Sequence, residues 1–155
     1  MLDEGVKNLC DVVKNITGAD LSNLKGGGAA GAMGAGMVAF FNATLKMGID
    51  TVLETVGFDK VIDDADVIIT GEGKIDSQSL RGKVVIGVAR RAKIKKVPVI
   101  AVVGGSDGDM TKAYEEGVTA IFSINRLPQD FSVSRHNSEE NLAFAFDNLL
   151  RTLKI

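Results

Sequence analysis

No tryptophan occurs in these 155 residues, aromatics of all kinds make up 5%, and there is one cysteine, one histidine and two prolines. Each shortage closes off a class of protein. With Cys10 alone, no internal disulfide can form, and a reducing, cytoplasmic setting is expected. One Cys and one His do not suggest a zinc centre. No run approaches the roughly 18 consecutive apolar residues of a membrane span. The opening "MLDEGVKNL" lacks the basic-then-apolar pattern of a secretory leader. Net charge is also scarce, with 18 Lys and Arg against 20 Asp and Glu giving a formal −2. Neither nucleic acid nor an anionic membrane is implied as a partner.

What is abundant is glycine, with 18 residues and no repeating period. That amount points to backbone-lined turns and close packing. Hydrophobic residues at 45% are ordinary for a globular chain, and the length suits a single compact unit over 1–155. Val6, Leu9, Val12, Val13 and Ile16 recur at helical spacing before Gly18, and Cys10 beside them reads as a small core residue. "KGGGAAGAMGAGMVAFFNATLK" begins in glycine and becomes helix-like to about Ala43. "MGIDTVLETVGF" predicts a short helix with Ile49, Val52, Leu53 and Val56 on one face.

Three apolar strands follow: Val67–Thr70, "VPVIAVVGG" (Val97–Gly105) and "VTAIFSI" (Val118–Ile124). Between them, "GKVVIGVARRAKIKK" predicts a helix with a basic end, and "DMTKAYEEG" a short one capped by Asp109 and Gly117. "NRLPQDFSVSRHN" reads as a polar loop in which His136 is a surface residue. A last helix starts at Ser138 and runs through Leu142, Phe146, Leu149, Leu150 and Leu153. Alternating strands and helices predict an α/β fold, a mainly parallel sheet flanked by helices. Right-handed crossovers put the strand C-terminal ends on one edge, where such sheets bind ligands. Three strands make a narrow sheet for this length, so the chain reads as part of something larger.

Two of those strand ends carry chemistry. In "TGEGKIDSQSLRGK", Gly71 and Gly73 allow backbone to lie near a ligand. Glu72 and Asp76 can hold a magnesium ion or take a proton from a substrate hydroxyl, and Lys74, Arg81 and Lys83 can neutralise phosphate oxygens. Mixed charge and glycine in one turn is what phosphoryl transfer uses, because positioning and electrostatics supply most of its catalysis. A solvated turn with internal ion pairs has the same composition. "GGSDGDM" repeats the theme with Ser106 and Asp107, Asp109 being a helix cap. Gly26, Gly27, Gly28, Gly31, Gly34 and Gly36 form either a backbone cradle for phosphate or a small helix face made for tight packing. No Gly-Lys-Ser/Thr ending and no preceding strand accompany them, which argues against a P-loop and against a dinucleotide-dependent oxidoreductase.

At "GGGAAGAMGAGMVAF", "DVIITGEGKIDSQSLRGKVVIGVARRAK" and "VPVIAVVGG", in that order and spacing, the chain resembles the bacterial type-I glycerate kinases. The resemblance runs from about Leu2 to Leu150. It implies ATP-dependent phosphorylation of D-glycerate with Mg2+, giving 2- or 3-phosphoglycerate, in a fold of two α/β domains with the site between them. It further implies that the chain is the C-terminal portion of such an enzyme, the family's N-terminal segment having no counterpart here and being the missing partner. By motif match the catalytic residues would be Asp76, Glu72 and Lys74, with Asp76 nearest the glycerate hydroxyl. Gly27, Gly28, Gly31, Gly34, Gly71, Gly73, Gln78 and Lys83 would contact substrate or phosphate. Lys74 and Ser79 stand where the family commonly has Arg and Thr. The alternative is a module that binds a nucleotide or sugar acid without turning it over.

Overall fold

The computed structural model describes residues 2–76, 79 and 82–154. Where a single unit was expected, the chain divides into two, Met1–Met47 and Gly48–Ile155.

In the first unit, α1 (Leu2–Thr17) lays Val6, Leu9, Cys10 and Val13 against Leu21, Leu24, Ala35, Val38 and Ala39. It stops at Gly18, whose positive φ of 76° lets its N–H turn back to the Lys14 carbonyl at 2.9 Å. The second helix, α2 (Ala29–Phe41), begins irregularly, with Ala30, Gly31 and Ala32 all left-handed. It ends at Asn42, also left-handed, a conformation asparagine tolerates.

The second unit opens with α3 (Gly48–Thr55) and the one-turn α4 (Phe58–Val61), which the sequence did not announce. Leu53 is buried and Ile49 partly so, but Val52 and Val56 are exposed, so the inward face of α3 is narrower than expected. Then come β1 (Ile68–Glu72), α5 (Val84–Lys95), β2 (Val99–Val103), α6 (Thr111–Glu115), β3 (Val118–Ser123), α7 (Phe131–Ser134) and α8 (Ser138–Leu153). The loop expected over 125–137 thus contains α7 and a 3-10 turn at Arg135–Asn137.

The strands form a parallel sheet in the order β1-β2-β3. β2 is central and buried throughout, as its unbroken apolar sequence requires. On one face Val99, Ala101, Val103 and Val118 pack with Val85, Ile86, Ala89 and Ala92 of α5. On the other, Ile100 and Val102 meet Leu149 and Phe146 of α8. The ladder carries β1 two residues past the expected end at Thr70, although it starts one residue later, at Ile68. Thr70, Gly71 and Glu72 pair with Ala101, Val102 and Val103, and at Gly71 a β-carbon would run into the Val102 carbonyl oxygen. Glycine inside this strand marks a close backbone approach, not its end.

Candidate functional site

The loops after β1 and β2 are laced into one rim at the C-terminal edge of the sheet. Gly104 N–H donates to the Glu72 carbonyl at 3.3 Å, Ile75 N–H to Gly105 at 3.0 Å, and Asp107 N–H back to Ile75 at 3.1 Å. Ile75, fully buried, anchors the first loop. Gly104 stands so close to the Gly73 carbonyl that a β-carbon has no room. β3 joins through Asn125, whose side-chain amide donates to the Gly104 carbonyl.

Beside this rim lie two adjoining clefts. One, of about 510 Å3, is walled by Ile69, Val102, Leu142 and Phe146 and reaches Glu72 and Gly73. The other, of about 570 Å3, takes in Lys74, Gly105, Asn125, Ser134 and Arg135. Both touch Gly73, Gly104, Ile124, Phe131 and Ser138. Glu72 Oε1 is buried and has no hydrogen-bond partner among the described residues. A buried carboxylate oxygen left unsatisfied costs free energy, so it marks a position made for a donor or a cation. Lys74 Nζ is held by Asp107 Oδ2 at 2.9 Å, an exposed pair that bridges the two loops. That hydrogen bond, and then the Asp107 charge, keep the ammonium above its ordinary pKa.

Asp76 sits apart from both clefts. Its Oδ1 accepts Ser79 N–H at 3.1 Å while Ser79 Oγ accepts Asp76 N–H at 3.2 Å, a reciprocal pair of the capping-box kind. Lys83 Nζ stands 3.7 Å from the same Oδ1. Ser79 is fully buried and organises this loop. Gln78 and Arg81 lie outside the described residues.

The predicted glycines therefore split. Gly71 and Gly73 line the first cleft, whereas Gly27, Gly28, Gly31 and Gly34 belong to the other unit. There the N–H groups of Gly27, Ala29 and Ala32 are spent on Leu24, Gly26 and Gly28 carbonyls. A β-carbon on Gly34 would come within 2.6 Å of the Gly26 oxygen, so at Gly34 close packing is what glycine provides. Gly104 was seen in its motif but not as site lining, and Asn125, Phe131 and Ser138 were missed. The signal for Asn125 was present: it follows the third strand as Gly73 and Gly104 follow the first two.

The glycerate kinase family model matches residues 1–154. The chain belongs to the glycerate kinase family. Glycerate kinase from Bacillus cereus is 40% identical over 154 residues, covering 99% of this chain and 40% of that protein. Glycerate 2-kinase of Escherichia coli is 37% identical over 154 residues, again 40% of its own length. A crystal structure assigned as glycerate kinase 2 from Salmonella typhimurium LT2 superposes with a TM-score of 0.73 at 37% identity, over 98% of this chain and 39% of that one. The chain thus spans about 40% of the length of the glycerate kinases it matches. No described helix is long and apolar enough to cross a membrane.

Proposed function

We propose that the chain is the C-terminal portion of an ATP-dependent, cytoplasmic D-glycerate kinase and supplies part of its phosphoryl-transfer site. The observation that carries this reading is Glu72 Oε1, unpartnered among the described residues at a glycine-built rim that also carries Lys74. Gly71, Gly73 and Gly104 let backbone approach the substrates, and the adjoining clefts have the volume ordinary for small-molecule sites.

Among the described residues no group of three or more His, Cys, Asp or Glu side chains could hold a metal by itself. A magnesium ion held mainly by phosphate oxygens and one carboxylate is compatible with that, and Glu72 fits as the carboxylate. When bound, Mg2+ supplies charge neutralisation between the phosphates. The protein groups do the positioning. Glu72 orients the attacking glycerate hydroxyl or the metal, and Lys74 offsets charge that develops on the transferred phosphoryl oxygens. Asp76, its Oδ1 already engaged by Ser79, ranks after Glu72 as the hydroxyl's proton acceptor and with Lys83 sets the loop's shape. Gln78, Gly27, Gly28, Gly31 and Gly34 remain candidates for substrate or phosphate contact on motif match.

The chain's span of about 40% of its relatives favours a second reading, binding without turnover. Phosphorus NMR of the purified chain with ATP, Mg2+ and D-glycerate separates the two. A new phosphomonoester resonance that disappears in Glu72→Gln supports transfer. Retained nucleotide binding with no such resonance, even after the rest of the polypeptide is supplied, would leave only the module.

A further inference from the structure

Arginine charge in this fold is mostly spent inside the chain. Arg90 holds Glu116, Arg91 holds Glu54 and Asp59, Arg126 holds Glu140, and Arg151 holds Asp147. Among the described arginines Arg135 is the exception, with no carboxylate beside it. Its one partner is the neighbouring imidazole, whose Nε2 accepts Arg135 Nε–H at 3.3 Å. Both terminal nitrogens of the guanidinium are left as an end-on fork. The backbone that carries it is fixed on either side. Ser134 is buried and donates its N–H to the Asp130 carbonyl at 3.0 Å, and Ser138 Oγ donates to the Arg135 carbonyl at 2.9 Å. Those bonds hold the junction of α7 and α8, and Arg135 with it, on the second cleft.

The polar side chains of that cleft are Lys74, Asn125, Ser134, Arg135 and Ser138, with no Asp or Glu among them. Lys74 comes with Asp107 to balance it, so Arg135 gives the cleft its uncompensated positive charge. The first cleft is the reverse, largely apolar with Glu72 as its charged group. Nucleotide phosphates travel with a divalent cation that seeks carboxylate oxygen, and the carboxylate at hand opens on the first cleft. An oxyanion that comes without a metal suits the second. A carboxylate is such a group, and its two coplanar oxygens match a guanidinium fork. We propose that Arg135 recognises the carboxylate of the acceptor acid, seating it in the second cleft so that the acceptor hydroxyl reaches the Glu72–Lys74 rim where the clefts meet at Gly73. The inference rests on the kinase reading above and adds the residue that makes the acceptor an acid and not a neutral polyol.

The test is acceptor discrimination in a chimera in which this chain replaces the 154 matched residues of the Bacillus cereus relative. D-glycerate is compared with D-glyceramide, which keeps both hydroxyls and carries a neutral amide in place of the carboxylate. Arg135→Ala should lower kcat/KM for glycerate about 100-fold, while the values for glyceramide and the KM for ATP change by less than about threefold. Arg135→Lys, a point charge in place of a fork, should lose about 10-fold on glycerate alone. Added guanidinium should restore glycerate turnover to Arg135→Ala and leave glyceramide unaffected. Equal losses on the two acceptors overturn the proposal. So does a loss that falls on the KM for ATP, which would put Arg135 on a phosphate instead. Should the chimera be inactive, glycerate labelled with carbon-13 at the carboxyl is titrated into the purified chain. A carboxyl shift that Arg135→Ala abolishes at an unchanged melting midpoint is expected; its absence from the unaltered chain overturns the proposal. Binding through Arg135 without phosphoglycerate formation upholds the carboxylate site and sinks the kinase reading; phosphorylation indifferent to Arg135→Ala does the reverse.

Discussion

Ser79 shows how much one small side chain can hold. It has no accessible surface, accepts Asp76 N–H, and its hydroxyl lies 3.3 Å from the Lys74 carbonyl it can donate to. Ser79→Ala removes a partner from each in a closed space, and is expected to cost about 1–3 kcal/mol in urea denaturation. Lys74 is the opposite case. Its ion pair with Asp107 is exposed and contributes little to folding. Lys74→Ala in the complete enzyme should therefore lower kcat by about 100-fold or more with an unchanged melting midpoint. Equal kcat would remove Lys74 from the chemistry. At Asp109 the Thr111 hydroxyl and N–H both donate to Oδ1, at 2.6 and 2.8 Å, and hold the carboxyl below its ordinary 3.8. Because the folded pKa is depressed, this stabilisation is present above the unfolded value and lost as pH falls through the folded one. Carbon NMR titration should place Asp109 below 3.8 and move it only part of the way back in Thr111→Val, which removes the hydroxyl donor and keeps the backbone N–H.

Among the elements, the turn after α6 is constrained twice over. Gly117 has φ of 114°, and a β-carbon there would lie 2.7 Å from the Ala89 carbonyl oxygen of α5. Gly117→Ala should cost about 1–3 kcal/mol, read from the denaturation midpoint, since backbone strain and clash act together. Elements with a strong period or an unbroken apolar run were legible in the sequence: α1, α5, α8 and the three strands. Those missed have physical reasons. α4 and α7 span four residues each, too few for a period to declare itself. The end of β1 was hidden because Gly71 and Glu72 look like turn residues, and their place in the strand depends on Val102 and Val103, some thirty positions away. Asp109 was expected as the N-cap of α6, but the cap position falls to Met110, and Asp109 acts from one residue earlier by accepting Thr111 N–H.

For the whole molecule, the fold class and the strand-end site could be read locally, because Glu72, Gly73 and Lys74 are neighbours in sequence and at the rim. The lining from Phe131 and Ser138 could not, since nothing near those residues records that their segment returns to β1 and β2. The separation at Met47 was equally invisible: no proline or low-complexity linker announces it. That separation has a practical consequence, because the chain's rarest residues fall on different sides of it. Cys10, the sole thiol, is buried in the first unit, and Tyr114, the sole tyrosine in a chain without tryptophan, is half-exposed on α6 of the second. Thiol labelling therefore times the opening of one unit while tyrosine fluorescence follows the other, in unmodified protein. If the two signals move at different urea concentrations, the units melt independently; coincident curves would mean that they melt as one cooperative body.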